Sequence, residues 1–163
     1  LDGENEALSA NLPAWREALP EFHPLHGPWA LSTATAEEYP RFTPYRSLEE
    51  LKNLNAPGML PRFSGTIRYE TTFNGDDFSG DGALQLDLGT VGETAQVWLN
   101  GEDMGTCISF PYRVSVDGKI HKEENKLVIE VTNTLVYDQH DRLSVFQPVP
   151  ASGLIGPVGV RRE

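Results

Sequence analysis

The segment Ala95-Gln-Val-Trp-Leu-Asn-Gly101 indicates the fold class of this chain of 163 residues. Apolar residues occupy every second position of its first five, which is the period of a half-buried β-strand. Asn100-Gly101 follows at once, and both residues tolerate the positive φ that a type I′ turn requires. The segment therefore predicts a strand that ends in a tight hairpin. We expect the return strand to begin near Met104 or Gly105.

Further strand patterns follow along the chain, separated by turns rich in glycine, asparagine and aspartate. These strand candidates lie at residues 65–73, 84–89, 111–116, 124–133 and 152–160. No helical period interrupts them. Short strands at this spacing predict an all-β fold, an antiparallel β-sandwich or jelly roll of roughly eight strands in two sheets.

The first 20 residues have a different pattern, in which four apolar residues share one helical stripe. These residues are Leu8, Leu12, Trp15 and Leu19. We expect one short helix at residues 13–19, and a second after the capping-box pattern Ser47-Leu-Glu-Glu50. The predicted organisation is a linker with a short helix at residues 1–26, packing on a sandwich formed by residues 27–163.

Charge and cysteine content restrict the class of partner. The chain carries 13 basic and 24 acidic side chains, a formal charge of −11, which disfavours nucleic acid and anionic membranes. Its apolar runs fall far short of the roughly 20 residues of a membrane-spanning helix. Cys107 is the single cysteine, so no internal disulfide can form, and we interpret it as a small buried hydrophobe.

The start of the sequence carries no signal peptide and is polar after Leu1. We therefore expect an excised piece of a longer protein. The compartment cannot be assigned from such a piece, and we expect the isolated domain to be a monomer.

Two residues break the strand alternation. Trp98 and Val128 fall on the face opposite the apolar positions of their strands. One interpretation is that the N-terminal helix with Trp15, or the segment of Trp29, covers them. The other is that Trp98 is an aromatic platform for a pyranose ring, whose C–H face stacks on indole.

Polar candidates for sugar binding concentrate in one segment between two predicted strands. They are Tyr137, Asp138, His140 and Arg142. Their side chains suit hydrogen bonds to sugar hydroxyls, although a surface loop in which Arg142 pairs with Asp138 explains them equally well. Tyr112 and Arg113 are second candidates.

A cofactor is not expected, and calcium is the one metal that the sequence suggests at all. Asp76, Asp77 and Asp81 share a glycine-rich loop, and calcium prefers such oxygen ligands. Their spacing does not match an EF-hand, and a solvated hairpin loop accounts for them as well. No nucleophile motif or zinc motif occurs, so we assign no catalytic residue.

A series of motifs, in this order along the chain, resembles a known domain. They are Gly27-Pro-Trp29, Phe63-Ser-Gly65, Tyr69, Phe73, Leu88-Gly89, Val97-Trp-Leu-Asn-Gly101, Gly105, Pro111, Asn125, Val131-Thr-Asn133 and Ser152-Gly-Leu-Ile-Gly-Pro157. The series resembles the galactose-binding-like β-sandwich, in particular the sugar-binding-type domain of glycoside hydrolase family 2. It also resembles the C-terminal modules of large bacterial α-L-rhamnosidase-like enzymes. Most of the shared residues are architectural.

The resemblance implies a multidomain bacterial hydrolase whose active site lies on another domain. Three functions are therefore considered. The first is an accessory module that binds a neutral glycan or braces the catalytic domain of the parent enzyme. The second is a protein-interaction module of the same fold, and the third is a self-sufficient glycosidase, which would need two facing carboxylates.

Overall fold

The computed structural model describes residues 21–134 and 150–162. Almost all regular structure in this part of the chain is β-strand, with one three-residue 3₁₀ helix at Asp76–Phe78. The predicted all-β antiparallel fold is confirmed. None of the helices in the described ranges is long and apolar enough to cross a membrane.

The described residues form twelve strands. They are β1 (Phe22–Pro24), β2 (Trp29–Ala34), β3 (Thr43–Leu48), β4 (Thr66–Asn74), β5 (Leu84–Asp87), β6 (Thr90–Gly92), β7 (Thr94–Leu99), β8 (Glu102–Cys107), β9 (Arg113–Ser115), β10 (Glu124–Thr132), β11 (Gly153–Gly156) and β12 (Gly159–Arg162). The sequence predicted about eight strands. The sequence patterns did not predict β1, β3 and β6. Strands β1 and β6 have only three residues each, too few to display a period of two, and the capping-box pattern at the end of β3 predicted a helix instead.

The strands form two main sheets and one small one. The larger sheet has the order β3-β2-β4-β10-β7-β8, the four-stranded sheet the order β1-β12-β5-β9, and β11 pairs with β6. Every strand pair is antiparallel. Strand β1 precedes the predicted boundary at residue 26, yet it pairs with β12, so this sheet includes residues on the N-terminal side of that boundary.

The core contains the alternating apolar residues of both main sheets. The larger sheet contributes Ile67, Tyr69, Val97, Leu99, Leu127, Ile129 and Val131, and the smaller sheet contributes Leu84, Leu86, Val114 and Val160. Cys107 is buried among them, and burial raises the pKa of its thiol. The inward positions predicted from the period of two are therefore confirmed.

The hairpin after β7 has the predicted turn. Asn100 and Gly101 adopt φ of 54° and 82°, as a type I′ turn requires. The predicted start of the return strand is wrong, because β8 begins at Glu102, directly after the two-residue turn. A bulge opposite Val97 and Trp98 accommodates one extra residue of β8.

Two asparagines tie this hairpin to β10. The buried Asn125 amide accepts a hydrogen bond from the Asn100 Nδ2 at 2.9 Å and from the His121 N–H at 2.7 Å. In return, the N–H of Lys126 donates to Asn100 Oδ1 at 2.9 Å. The architectural role that the sequence suggested for these asparagines agrees with these contacts.

The helix predicted after Ser47 is wrong. Ser47 lies in β3, opposite Ala30 of β2, and its hydroxyl donates to the carbonyl of Trp29 at 3.4 Å. Turns and bends follow instead of a helix. Cross-strand pairing thus outweighs the local capping pattern. The other predicted helix, at residues 13–19, lies outside the described residues.

Candidate functional site

Trp98 lies on the outer face of the six-stranded sheet, away from the core. It is half-buried, and its cross-strand neighbours are Val128 of β10 and Asp103 of β8. Trp29, one of the two suggested covers, is 1% exposed inside the core and therefore cannot cover it. The other suggested cover, the helix with Trp15, lies outside the described residues.

A turn between β2 and β3 crosses the same outer face, and we call residues 35–42 the strap. The carboxylate of Glu38 accepts hydrogen bonds from the backbone N–H and the hydroxyl of Thr35, at 3.0 and 3.1 Å. The N–H of Glu38 donates back to the Thr35 hydroxyl. These bonds, the backbone one first, hold the pKa of Glu38 below its ordinary value. The strap is thus closed by a reciprocal capping box.

Two aromatic residues anchor the strap to the sheet. The Tyr39 hydroxyl donates to Glu130 Oε2 at 3.1 Å, and the guanidinium of Arg68 lies 3.9 Å from the centre of the Phe42 ring. The two rings also meet edge to face at 5.8 Å. The strap is therefore attached at both the acidic and the basic residue beneath it.

Glu130 is the buried charge of this face. Its side chain is 5% exposed and accepts from Arg68 at 2.6 and 2.9 Å, directly across the β4–β10 pair. The negative charge of Glu130 raises the pKa of Tyr39, and the hydrogen bond between them adds to that effect. Arg68 compensates the Glu130 charge, so the pair is close to neutral as a unit.

A groove of about 300 Å³ lies between the strap and strands β7 and β8. Its lining is Ala36, Tyr39, Thr66, Thr94, Gln96, Thr106, Glu130 and Thr132. The hydroxyls of Thr66 and Thr132 share a hydrogen bond at 2.9 Å, and that of Thr94 donates to the Thr132 carbonyl. Apart from Ala36, every lining side chain carries a polar group. The groove is therefore a hydroxyl-rich surface with one compensated carboxylate.

Trp98 adjoins this groove. It follows Gln96 by two positions on β7, so both side chains lie on the same face, roughly 7 Å apart along the strand. The Gln96 amide donates to Asp103 Oδ2 at 3.2 Å, and Asp103 is the cross-strand neighbour of Trp98. The half-buried indole of Trp98 thus lies next to a lining residue of the groove, beside the exposed carboxylate of Asp103.

Tyr112 and Arg113 are not part of this site. The Tyr112 hydroxyl donates to the Glu93 carbonyl at 2.8 Å while its ring packs against the core. Arg113 lies on the four-stranded sheet and binds the Asp87 carboxylate at 2.8 Å, beside Arg161 at 3.3 Å. Both second candidates therefore make contacts within the sandwich and do not meet Trp98.

The other sequence candidates are distributed as follows. Tyr137, Asp138, His140 and Arg142 lie outside the described residues. Asp76 and Asp77 belong to the 3₁₀ helix, and the carbonyl of Asp81 accepts from Arg162 at 2.8 Å. In the described ranges no three His, Cys, Asp or Glu side chains are grouped as a metal site needs, and the calcium site remains a prediction.

Sequence reasoning missed Tyr39, Gln96 and Glu130. A usable signal existed for the strap, since Thr35-Ala-Glu-Glu38 is a capping-box pattern. The outward positions of β7 and β10 could also be read from their alternation with the core residues. Neither pattern indicates that the strap folds over β7 and β10. The contact that holds it there, between Tyr39 and Glu130, joins residues 91 positions apart.

The chain resembles proteins that break down glycans. A curated protein of Formosa agariphila, provisionally named a beta-glucuronidase, is 38% identical over 89 residues, which are 52% of this chain and 8% of that protein. The solved rhamnosidase from Novosphingobium sp. PP1Y is 29% identical with a TM-score of 0.71, over 90% of this chain and 16% of its own. No protein-family model matches the chain.

Two solved β-glucuronidases share the fold at lower identity. One, from an uncultured Clostridium sp., is 19% identical with a TM-score of 0.64, and one from Ruminococcus gnavus is 16% identical with the same score. The match covers 88% of this chain and 29% of each enzyme. The chain therefore spans less than a third of every relative named here. It is similar to the sugar-binding-type β-sandwich modules of family 2-like glycoside hydrolases, as its sequence motifs predicted.

Proposed function

We propose that this chain is a non-catalytic accessory module of a larger glycoside hydrolase and that it contacts a neutral glycan without cleaving it. The observation that carries the proposal is the share of the relatives that the chain covers. It spans 16% of the rhamnosidase and 8% of the curated relative, while 90% of the chain superposes on the former. Such a share is typical of one module among several.

The chemistry of the groove supports a non-catalytic role. Canonical glycoside hydrolysis needs two carboxylates on opposite sides of the scissile bond. Among the described residues, Glu130 supplies the one carboxylate that lines the groove, and Arg68 and Tyr39 both bind it. A carboxylate held in this way is poorly placed to attack a sugar or to donate a proton.

The position of Trp98 supports contact with a glycan. A partly exposed indole beside a hydroxyl-rich groove combines a stacking surface with hydrogen-bonding groups, which is how proteins hold sugar rings. Sugar hydroxyls exchange bonds with water for similar bonds with protein, so the net gain is small. We expect dissociation constants roughly between micromolar and millimolar.

The test uses the purified chain in two assays. Aryl rhamnosides, galactosides and glucuronides should release no product, whereas calorimetry or NMR on a glycan panel should detect weak binding. Trp98→Ala should abolish that binding. Phe110→Ala, which removes an exposed aromatic ring from another loop, is the matched control and should leave it intact. Turnover of an aryl glycoside would contradict the proposal, as would a complete absence of glycan binding.

A second candidate function rests on the loop between β8 and β9. Ile108 and Phe110 are 76% and 79% exposed there, two large apolar side chains close together at the surface. Such a pair fits docking against another domain of the same protein. In that case, Ile108→Ser with Phe110→Ser should weaken association with the separately expressed catalytic domain on size-exclusion chromatography. Unchanged association would exclude this surface.

A further inference from the structure

We propose that the groove between the strap and strands β7 and β8 is the glycan-binding site of this module, and that it selects an uncharged sugar over a uronic acid. This inference rests on the function proposed above and names its site and ligand class. The ligand would be one sugar residue, with a ring face against Trp98 and its hydroxyls directed at Gln96 and the threonines.

The size of the groove limits the ligand. Its volume of about 300 Å³ is at the lower end of the range for small-molecule sites. A single sugar ring is therefore the natural occupant, with the rest of a glycan extending into solvent. The groove is open along the outer face of the sheet, so a chain end or a branch could enter it equally well.

The lining chemistry matches a polyol. Four threonine hydroxyls, the phenol of Tyr39 and the amide of Gln96 each present groups that can donate or accept hydrogen bonds. Thr106 is exposed and lies directly opposite Gln96 across the β7–β8 pair. These two residues form the accessible side of the groove, and the other side is the strap.

Charge decides between neutral and acidic sugars. None of the lining residues in the described ranges is cationic, and the Arg68 guanidinium beside the groove is bound to Glu130 and lies over the Phe42 ring. A uronate carboxylate in the groove would face Glu130, and Asp103 beside Trp98, without a cation to pair with. Its desolvation would therefore be uncompensated, whereas a neutral sugar has no such cost.

The groove is also prepared for binding before a ligand arrives. The strap is held by the Thr35–Glu38 capping box and by the Tyr39–Glu130 bond, and the Thr66 and Thr132 hydroxyls are already bonded to each other. Little side-chain ordering remains to oppose a weak ligand.

A second cavity of about 350 Å³ is the alternative site, and its lining argues against a sugar. Its described lining combines apolar side chains such as Leu51 and Ile155 with the polar side chains of His26, Glu49 and Glu50. No lining residue in the part of the chain that the structure describes carries a hydroxyl group. The cavity therefore lacks the hydroxyl-rich lining of the groove and serves as the reference position for mapping.

The experiment is an amide-shift NMR titration of the chain with methyl α-L-rhamnoside, methyl β-D-galactoside and methyl β-D-glucuronide. The amides of Thr94, Gln96 and Thr106 should shift with the neutral glycosides, and those of Leu51 and Ile155 should not. The glucuronide should bind at least about fivefold more weakly than the galactoside, the factor expected for one unmade hydrogen bond or charge contact.

Variants give an independent measurement. Gln96→Ala and Thr106→Val should each weaken binding of the neutral glycoside about fivefold. Thr72→Val is the matched control, because Thr72 is an exposed threonine on the same sheet face outside the groove. The affinity of this variant for the neutral glycoside should stay unchanged. Unaltered one-dimensional spectra of the variants verify folding, and the shift map of the unmodified chain needs no variant at all.

The outcomes separate the site from the function. A neutral glycoside that binds but shifts the Leu51 and Ile155 amides would show that the groove is not the binding site. Groove variants that bind as tightly as the unmodified chain would show the same. In both cases the accessory function stands. Tighter binding of the glucuronide overturns the selectivity. If no glycan binds at all, both the site and the glycan-binding role are overturned.

Discussion

Tyr69 and Tyr45 present two hydroxyl groups in opposite circumstances. The Tyr69 side chain is fully buried, its hydroxyl accepts the backbone N–H of Leu154 at 2.9 Å, and burial raises its pKa well above the ordinary value. The Tyr45 hydroxyl is also buried, but it has no hydrogen-bond partner among the described residues. The two residues therefore provide a matched pair for the value of one internal hydrogen bond.

Tyr69→Phe should lower the free energy of unfolding by about 1–3 kcal/mol, because it leaves the buried N–H of Leu154 without an acceptor. Tyr45→Phe should be neutral or stabilising, since it removes a polar group that is buried without compensation. Urea denaturation of both variants measures the difference. Equal losses of unfolding free energy in the two variants would show that the hydrogen bond between Leu154 and Tyr69 does not stabilise the fold.

Features of single residues that depend on their neighbours in sequence could be predicted. The positive φ of Asn100 and Gly101 follows from their types and from the strand before them. The Arg68–Glu130 pair could not be predicted, since its partners are 62 positions apart and meet only through the register of β4 and β10. Local periodicity predicts which face a side chain occupies, but not which residue lies opposite.

At the scale of elements, the strap contains a carboxylate whose ionised form closes it. The pKa of Glu38 lies below its ordinary value of 4.5, chiefly because the Thr35 backbone N–H binds its ionised form. A lowered folded-state pKa contributes stability above the unfolded-state pKa, and that contribution is lost as pH falls through the folded-state value. The closure of the strap should therefore weaken in acid, as Glu38 becomes protonated below its ordinary pKa.

An NMR pH titration that follows the amides of Thr35 and Tyr39 tests this expectation. In Glu38→Gln the amide shifts should lose their acid transition, because no carboxylate remains to be protonated. Glu37→Gln, a change at the exposed neighbouring residue, is the control and should retain it. An acid transition that survives in Glu38→Gln would place the responsible group elsewhere.

Strands β4 and β10 carry two ion pairs that differ in burial. Arg68 and Glu130 are 31% and 5% exposed, whereas Lys126 and Glu70 are 62% and 36% exposed. Arg68→Met should cost about 2–3 kcal/mol, somewhat less than for a fully buried pair, because it leaves the Glu130 charge under the strap. Lys126→Met should cost less than about 1 kcal/mol. Chemical denaturation of both variants supplies the comparison, and similar costs would mean that the Glu130 site is well solvated.

Two copies of one sequence signature show why element prediction fails locally. Ser47-Leu-Glu-Glu50 and Thr35-Ala-Glu-Glu38 both match the capping box, yet only the second closes a turn. Ser47 instead lies in β3, which pairs with β2 along its length. The hydrogen bonds of a whole strand pair outweigh those of one cap, and that pairing is not visible within four residues.

At the scale of the whole molecule, the inner faces of the sandwich were predictable and the candidate site was not. The core follows from a period of two that each strand displays by itself. The groove instead needs a strap from between β2 and β3, a floor from β4 and β10, and an opposite side from β7 and β8. Only Trp98 and Val128, apolar residues at outward positions, indicated that this face differs from an ordinary solvated one.

The extent of the sandwich gives the last prediction. Strand β1 pairs with β12, the N–H of Leu25 donates to the Val158 carbonyl at 2.8 Å, and the Phe22 ring covers Gly159 so closely that a side chain there would collide with it. A chain that starts at residue 27 loses these contacts and leaves β12 as an unprotected edge. It should be about 1–3 kcal/mol less stable than a chain that starts at residue 21, mainly through the lost burial of Phe22.

Urea denaturation of the two chains measures this difference in stability. The Phe22→Ala variant of the longer chain separates the contribution of the buried Phe22 side chain from that of the backbone hydrogen bonds of β1. If side-chain burial dominates, the Phe22→Ala variant should lose most of the stability that the truncation loses, while keeping the backbone bonds of β1. The shorter chain should also self-associate more at high concentration, because the exposed edge of β12 can pair with a second copy. Equal stability of the chains that start at residues 21 and 27 would show that the sandwich is complete without β1, as the sequence-based boundary implied.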